Sequence, residues 1–91
     1  MQTAVRYRAK GLGRWHQGQV ENLSQSGIVL QGPQHLPDYT LVEMVFEMPG
    51  EISGQKNGAV LCQGRIVRHD AAPDGESVSL AASILDYKPL H

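Results

Sequence analysis

Short runs of alternating apolar and polar residues recur along this chain, and they constrain its fold more than any other feature. In the clearest run, residues 40–48, every second side chain is apolar, so one face of an extended strand is apolar. That face carries Val42, Met44, Phe46 and Met48. A helix is disfavoured because β-branched and aromatic residues prefer a pleated surface and Pro49-Gly50 ends the run. The period of two therefore predicts a strand that packs one face on a core.

Five other runs predict strands, and turn residues separate most of them. The predicted strands cover residues 5–10, 15–21, 27–31, 40–48, 59–69 and 77–85. Gly18 permits a bulge or a close approach of two backbones, and Gly64 lies where a bend would help to close a sheet. No segment predicts a convincing helix. The pattern predicts an all-β fold, a small six-stranded antiparallel β-barrel, formed as one domain by residues 1–91.

The charge pattern limits the possible partners. The net charge of −1 argues against broad binding to nucleic acid or to anionic membranes. However, half of the lysines and arginines lie within the first fourteen residues, and the first acidic residue is Glu21. Those basic residues are Arg6, Arg8, Lys10 and Arg14. Charge alone favours a solvated strand edge over a patch for phosphate or guanine, because cationic residues on edges discourage aggregation.

The remaining composition points to a cytoplasmic binding protein without a metal or a cofactor. No run approaches the roughly 20 apolar residues that span a bilayer, and the N-terminus lacks the apolar core of a signal peptide. Cys62 is the single cysteine and falls on an apolar strand face, which predicts a buried, inert thiol. The histidines at 16, 35, 69 and 91 lack the spacing of a zinc site and are predicted to lie on the surface. No catalytic grouping is evident, so we expect no enzyme.

The segment from Asn22 to Gly27, between the second and third predicted strands, is the candidate functional loop. It holds an amide side chain, two hydroxyls and a glycine within six residues. Asn22 and Ser24 can accept hydrogen bonds from nearby backbone N–H groups, and Gly27 can adopt a positive φ at no steric cost. The loop can therefore satisfy its own backbone, or it can present donors to a small anionic ligand. The residue types alone favour the first interpretation.

The order of these elements resembles a PilZ domain from about Val5 to about Tyr87. The resemblance rests on Asn22-x-Ser24-x-x-Gly27 after a strand, the apolar strand that stops at Pro49, and the later strand Gly64-Arg65-Ile66-Val67-Arg68. PilZ domains are bacterial six-stranded barrels, and many bind the second messenger cyclic di-GMP. The resemblance implies the same fold and the same ligand, and it assigns Asn22, Ser24 and Gly27 to the ligand site.

The chain departs from the family at a second motif, an Arg-x-x-x-Arg arm that precedes the first strand. Nothing upstream of Val5 is basic, so either the sequence shown begins after the arm or the natural protein lacks it. Lys10 and Arg14 have the spacing of the arm but flank a turn after the first strand. Arg6 and Arg8 share one face of that strand and are the remaining candidates for ligand contacts. Binding of cyclic di-GMP is expected to be weak or absent.

Three functions follow from these observations. The first is a signalling module that binds cyclic di-GMP and transmits it to a protein partner. The second is a PilZ-like adaptor that acts through protein contacts without the dinucleotide. The third is a barrel that stacks single-stranded nucleic acid on Trp15 and Tyr7, but an aromatic content of 5% disfavours it.

Overall fold

Six β-strands account for most of the residues that the computed structural model describes, which are residues 3–48 and 58–90. They are β1 (Thr3–Ala9), β2 (His16–Leu23), β3 (Gly27–Gly32), β4 (Leu41–Met48), β5 (Gly58–Ala71) and β6 (Val78–Pro89). All pairings are antiparallel, and the strands close a barrel in the order β1-β2-β3-β6-β5-β4, with β4 beside β1. The predicted six-stranded antiparallel barrel is confirmed. The polar residues 51–58, with Gly54 and Asn57-Gly58, are predicted from the sequence to form a hairpin loop, and apart from Gly58 they lie outside the described residues.

The predicted strands agree with the observed ones to within two residues except at the C-terminal end. Because β2 runs to Leu23, Asn22 belongs to this strand and not, as predicted, to the loop after it. The sequence predicted that the last strand ends at Leu85 and that a short tail begins at Tyr87. Instead, β6 continues to Pro89, because β5 also extends there and supplies a partner for each residue, with Tyr87 opposite Cys62. No helix in the described ranges is long and apolar enough to cross a membrane.

The core fills the barrel with the inward-facing residues of all six strands. Val5 and Tyr7 of β1 are fully buried, and the four apolar side chains predicted for one face of β4 are buried as well. Cys62 of β5 is buried too, as predicted, and burial followed by the nearby charge of Asp86 raises the pKa of its thiol to about 11. The thiol is therefore protonated at neutral pH, as expected of a small core residue.

The connector between β3 and β4, residues 33–40, covers one end of the barrel. Its Leu36 is buried in the core, and its backbone is tied to the centre of β1. The Tyr7 hydroxyl donates to the Gln34 carbonyl and accepts from the Gln34 N–H, each at 2.8 Å. The connector thus satisfies the polar end of a buried tyrosine, which removes the cost of burying it.

Two glycines allow the backbones of the barrel to approach or bend. A Cβ on Gly18 would collide with the carbonyl oxygen of Gln31 on β3, so the predicted close approach of two backbones is confirmed. Gly64 lies at a register shift between β5 and β6, and a Cβ there would lie 2.7 Å from the Ser83 carbonyl oxygen. The bend predicted at Gly64 therefore coincides with a bulge that helps the sheet to close.

Candidate functional site

The loop between β2 and β3 satisfies its own backbone through Ser24. The Ser24 N–H donates to the Gly27 carbonyl at 2.9 Å, and the Gly27 N–H donates to Ser24 Oγ at 3.1 Å. The Ser24 hydroxyl also lies 3.4 Å from the Gly27 carbonyl oxygen. Ser24 therefore closes the loop, and its hydroxyl is already hydrogen-bonded to the backbone of Gly27.

A β-bulge in β2 turns the Asn22 side chain away from the core. Val20 lies opposite Leu30 while Asn22 lies opposite Val29, so Glu21 is an extra residue in the ladder. Without the bulge, the period of two would put Asn22 on the same face as the buried Val20. With it, Asn22 is exposed and Leu23 packs against the core. The Asn22 side chain forms no hydrogen bond with the described residues.

Gly27 begins β3 without using the positive φ that glycine allows. Among the described glycines, positive φ angles occur at Gly11, Gly13 and Gly75. A Cβ on Gly27 would meet the Ala82 carbonyl oxygen at 3.5 Å and Ser24 Oγ at 3.9 Å, which are ordinary contacts. Neither the backbone conformation nor the packing of the described chain requires glycine at this position.

A shallow cavity of about 230 Å³ opens beside this loop. Its lining consists of Asn22, Ser24, Gly27, Ile28, Val29, Ala81 and Ala82. The structure therefore brings together the three residues of the predicted motif. The lining is neutral, with an amide and a hydroxyl on one side and small apolar residues of β3 and β6 on the other.

Arg6 lies on the outer surface of the barrel, away from this cavity. It pairs with Gln17 of β2 and with Val45 of β4, and it lines a separate depression of about 280 Å³ together with Glu47. Positions 17 and 22 of β2 are roughly 16 Å apart along the strand at about 3.3 Å per residue. The structure does not place Arg6 beside Asn22.

Arg8 lies two residues further along β1, near the end of the strand, where it secures the loop between β1 and β2, residues 10–15. Its Nε donates to Glu43 Oε1 at 3.1 Å, and its guanidinium lies 4.4 Å from the centroid of the Trp15 ring. The Gly11 N–H donates to the same carboxylate oxygen at 2.9 Å. This backbone hydrogen bond, and secondarily Arg8 and Lys10, lower the pKa of Glu43. Arg8 is thus part of a tie between β1 and β4.

Other predicted residues are also placed by the structure. Tyr7 is completely buried, so the interpretation that it stacks a nucleic-acid base is wrong. In the loop before β6, Asp74 accepts hydrogen bonds from the N–H groups of Glu76 and Ser77, which lower its pKa. No group of three or more potential metal ligands occurs in the described part of the chain.

A polar pair that the sequence did not indicate joins His69 and Asp38. His69 Nδ1 lies 2.7 Å from Asp38 Oδ1, and its ring meets the edge of His35 with the centroids 4.7 Å apart. This contact joins β5 to the connector after β3. Residues 31 positions apart form it, so no local pattern could have indicated it. His35 and His69 are exposed, as predicted, whereas His16 is half-buried against Tyr7.

A family model described as "PilZ domain" matches residues 1–86, which is nearly the whole chain. No curated protein matches the chain.

Proposed function

We propose that this chain, which belongs to the PilZ domain family, binds cyclic di-GMP weakly at the loop from Asn22 to Gly27 and transmits it to a partner protein. The family is generally associated with cyclic di-GMP binding and signalling, and it is generally non-enzymatic. The observation that carries the proposal is Gly27, whose identity the fold does not explain.

Neither the backbone conformation at Gly27 nor its packing accounts for a glycine there. A glycine within a strand costs stability, because it loses more backbone entropy on folding than other residues and packs no side chain. Its φ is not positive, and a Cβ would fit beside Ala82 without strain. A methyl group there would instead occupy the cavity that Asn22 and Ser24 line. The glycine is therefore explained by a ligand that approaches the backbone of β3.

Asn22 supplies the recognition chemistry. Its amide offers both a donor and an acceptor, is turned outward by the bulge, and forms no hydrogen bond with the described residues. A guanine edge presents complementary acceptors and donors, so Asn22 can orient a base in the cavity. Ser24 holds the loop in the shape that presents Asn22, because its hydroxyl is bonded to Gly27.

The charges explain why binding is proposed to be weak. The cavity lining carries no cation, whereas phosphates are held best by charge-assisted hydrogen bonds. Compared with a site that has the two arginines of the arm, this site lacks two guanidinium contacts to the ligand. Their loss reduces the binding free energy by about 2–6 kcal/mol, or the affinity by roughly one to four decades. We propose Arg6 as a secondary cation at most, and we leave Arg8 out because it is bound to Glu43.

The neutral lining favours a second candidate function, a PilZ-like adaptor that acts through protein contacts without the dinucleotide. In that case the loop would be a self-satisfied turn, as the bonds of Ser24 allow. The two candidates differ in one measurable property, which is whether substituting Asn22 changes a saturable binding signal.

Isothermal titration calorimetry with cyclic di-GMP on the 91-residue chain tests the proposal. We expect saturable binding that Asn22→Ala weakens by about tenfold, since one well-placed base contact is worth about 1–3 kcal/mol. Gly27→Val should abolish binding by filling the cavity. Arg6→Ala should weaken binding less than Asn22→Ala does. If Arg6 acts only by long-range attraction, Arg6→Ala and Arg14→Ala should weaken binding equally.

Gln19→Ala is the matched control, because Gln19 is an exposed polar residue on β2 outside the cavity lining. It should bind like the parent chain. Thermal melts of every variant establish that the barrel is intact. Absence of heat at millimolar dinucleotide would leave the adaptor as the function. Equal binding by Asn22→Ala and Gln19→Ala would show that the dinucleotide binds away from this loop, and it would overturn the proposed site.

A further inference from the structure

One edge of the barrel is left open at the end of β6. The pairing of β3 with β6 ends at Gly27 opposite Ser83, and the Ile84 N–H still donates to the Ser26 carbonyl at 2.9 Å. Beyond that point β6 continues to Pro89, paired on one side with β5. Among the described residues, no strand pairs with residues 85–89 of β6 on the other side. The end of β6 is therefore the open edge of a sheet that continues through β5 and β4.

Tyr87 presents its backbone to this open edge. The Leu90 N–H donates to the Ala59 carbonyl on β5 at 2.9 Å, so Leu90 points toward β5. Backbone groups alternate sides along a strand, so Asp86 and Lys88 also point toward β5, while Tyr87 and Pro89 point outward. Proline has no N–H, so Tyr87 offers a donor and an acceptor, whereas Pro89 offers an acceptor alone.

Asp86 and Lys88 flank Tyr87 with opposite charges, so two copies of this segment related by a two-fold rotation have complementary charges. If two copies of β6 pair antiparallel with Tyr87 opposite Tyr87, then Asp86 of each copy lies directly opposite Lys88 of the other. Each Tyr87 then exchanges both of its backbone hydrogen bonds with its counterpart. Opposite charges that face each other across a strand pair are favourable, and like charges in that position are unfavourable.

The same charges exclude the neighbouring registers. A shift centred on Asp86 would oppose two aspartates, and a shift centred on Lys88 would oppose two lysines. Both shifts replace two attractive pairs by a repulsive one. Leu85 and Tyr87 are 56% and 41% exposed, so the edge also carries apolar surface that pairing would cover.

We propose that two copies of this chain associate through the open edge of β6, antiparallel and centred on Tyr87. The partner is a second copy because the order of Asp86, Tyr87 and Lys88 is complementary to itself. The contact is short, since Pro89 stops the exchange of hydrogen bonds, so the dimer is weak, with a dissociation constant of about 100 µM. This association does not depend on cyclic di-GMP binding.

Sedimentation velocity on the 91-residue chain between about 5 µM and 1 mM tests the proposal. The parent chain should convert from monomer to dimer within that range. Lys88→Asp opposes two pairs of aspartates and should raise the dissociation constant at least about fivefold. The swap Asp86→Lys with Lys88→Asp restores both opposite-charge pairs and should bring the constant back to within about twofold of the parent value.

Arg14→Asp is the matched control, because it makes the same change in net charge at an exposed cation in the loop between β1 and β2. It should leave the dissociation constant unchanged. Tyr87→Cys is made together with Cys62→Ala, because Cys62 lies directly opposite residue 87 on β5 and would otherwise compete for the new thiol. This double variant should form a disulfide between copies under mild oxidation, since Cα atoms of a hydrogen-bonded pair lie about 5.5 Å apart. A chain that stays monomeric at 1 mM, or a Lys88→Asp dimer as tight as the parent, overturns the proposal.

Discussion

The two loops that flank β2 differ in where their hydrogen bonds go. The loop at residues 10–15 is tied to a distant strand, because Glu43 of β4 accepts from the Gly11 N–H and from Arg8. The loop after Leu23 bonds mainly to itself, through Ser24 and Gly27. The first also places Arg8 against Trp15, whereas the second leaves the Asn22 amide turned outward beside a neutral cavity.

This difference separates a structural loop from one that is available to a ligand. Side chains that complete long-range contacts, such as Arg8, cannot serve a ligand without breaking them. A loop closed by local bonds keeps its shape while a side chain that takes no part in those bonds, such as Asn22, can bind. The comparison predicts that substitutions in and near the first loop change stability, and substitutions in the second change binding.

The largest difference in stability is expected between two glycines, Gly18 near the first loop and Gly27 in the second. Gly18→Ala should cost about 2–3 kcal/mol of unfolding free energy, because its Cβ would collide with the Gln31 carbonyl. Gly27→Ala should lose no stability and should gain about 0.5–1 kcal/mol, because its Cβ meets only ordinary contacts and alanine loses less backbone entropy on folding. Urea denaturation of both variants measures this, and equal losses would remove the argument that Gly27 serves a ligand.

A smaller difference is expected between the residues that close the two loops. Glu43→Ala should cost about 2 kcal/mol, because it leaves the Gly11 N–H and the Arg8 guanidinium without their shared acceptor. Ser24→Ala should cost about 0.5–1 kcal/mol, since it removes one exposed local bond. Chemical denaturation at pH 7 compares them. A larger loss for Ser24→Ala would reverse the roles given to the two loops.

Acidification should weaken the first loop and spare the second. The pKa of Glu43 is lower in the folded barrel than in the unfolded chain, chiefly because of the Gly11 N–H. Its ionised form therefore stabilises the fold above the unfolded pKa of about 4.3, and this contribution is lost as the pH falls through the folded pKa.

Unfolding free energies measured from pH 7 to about 2.5 test this expectation. Glu43→Gln should show a shallower acid decline than the parent chain, while Ser24→Ala should keep the parental slope. Some decline should remain in Glu43→Gln, because the pKa of Asp74 is lowered as well. A Glu43→Gln profile parallel to that of the parent chain would argue against the tie to Gly11.

The smallest effect concerns the exposed contacts of each loop. Trp15→Leu should cost about 0.5–1 kcal/mol, because it removes the aromatic face beneath the Arg8 guanidinium. Asn22→Ala should leave the melting temperature within error, since Asn22 is exposed and contributes no bond to the described fold. A measurable loss for Asn22→Ala would show that its amide serves the fold.

The candidate site could be predicted only in part from the sequence. The motif indicated that Asn22, Ser24 and Gly27 lie together, and the structure places all three around one cavity. The motif did not indicate that the Ser24 hydroxyl accepts a hydrogen bond from the Gly27 N–H, or that Arg8 forms an ion pair with Glu43. Arg8 and Glu43 are 35 positions apart, and their contact exists only because β1 pairs with β4.

The sequence by itself determined the six strands and the faces that form the core, because the period of two is a local property of each strand. The tertiary structure alone decided which polar residues are free. The bulge at Glu21 that exposes Asn22, and the extension of β6 to Pro89, both arise from register between paired strands. In a closed barrel each strand must pair in register with two neighbouring strands at once. Register therefore depends on segments far apart in the chain and cannot be predicted from any one of them.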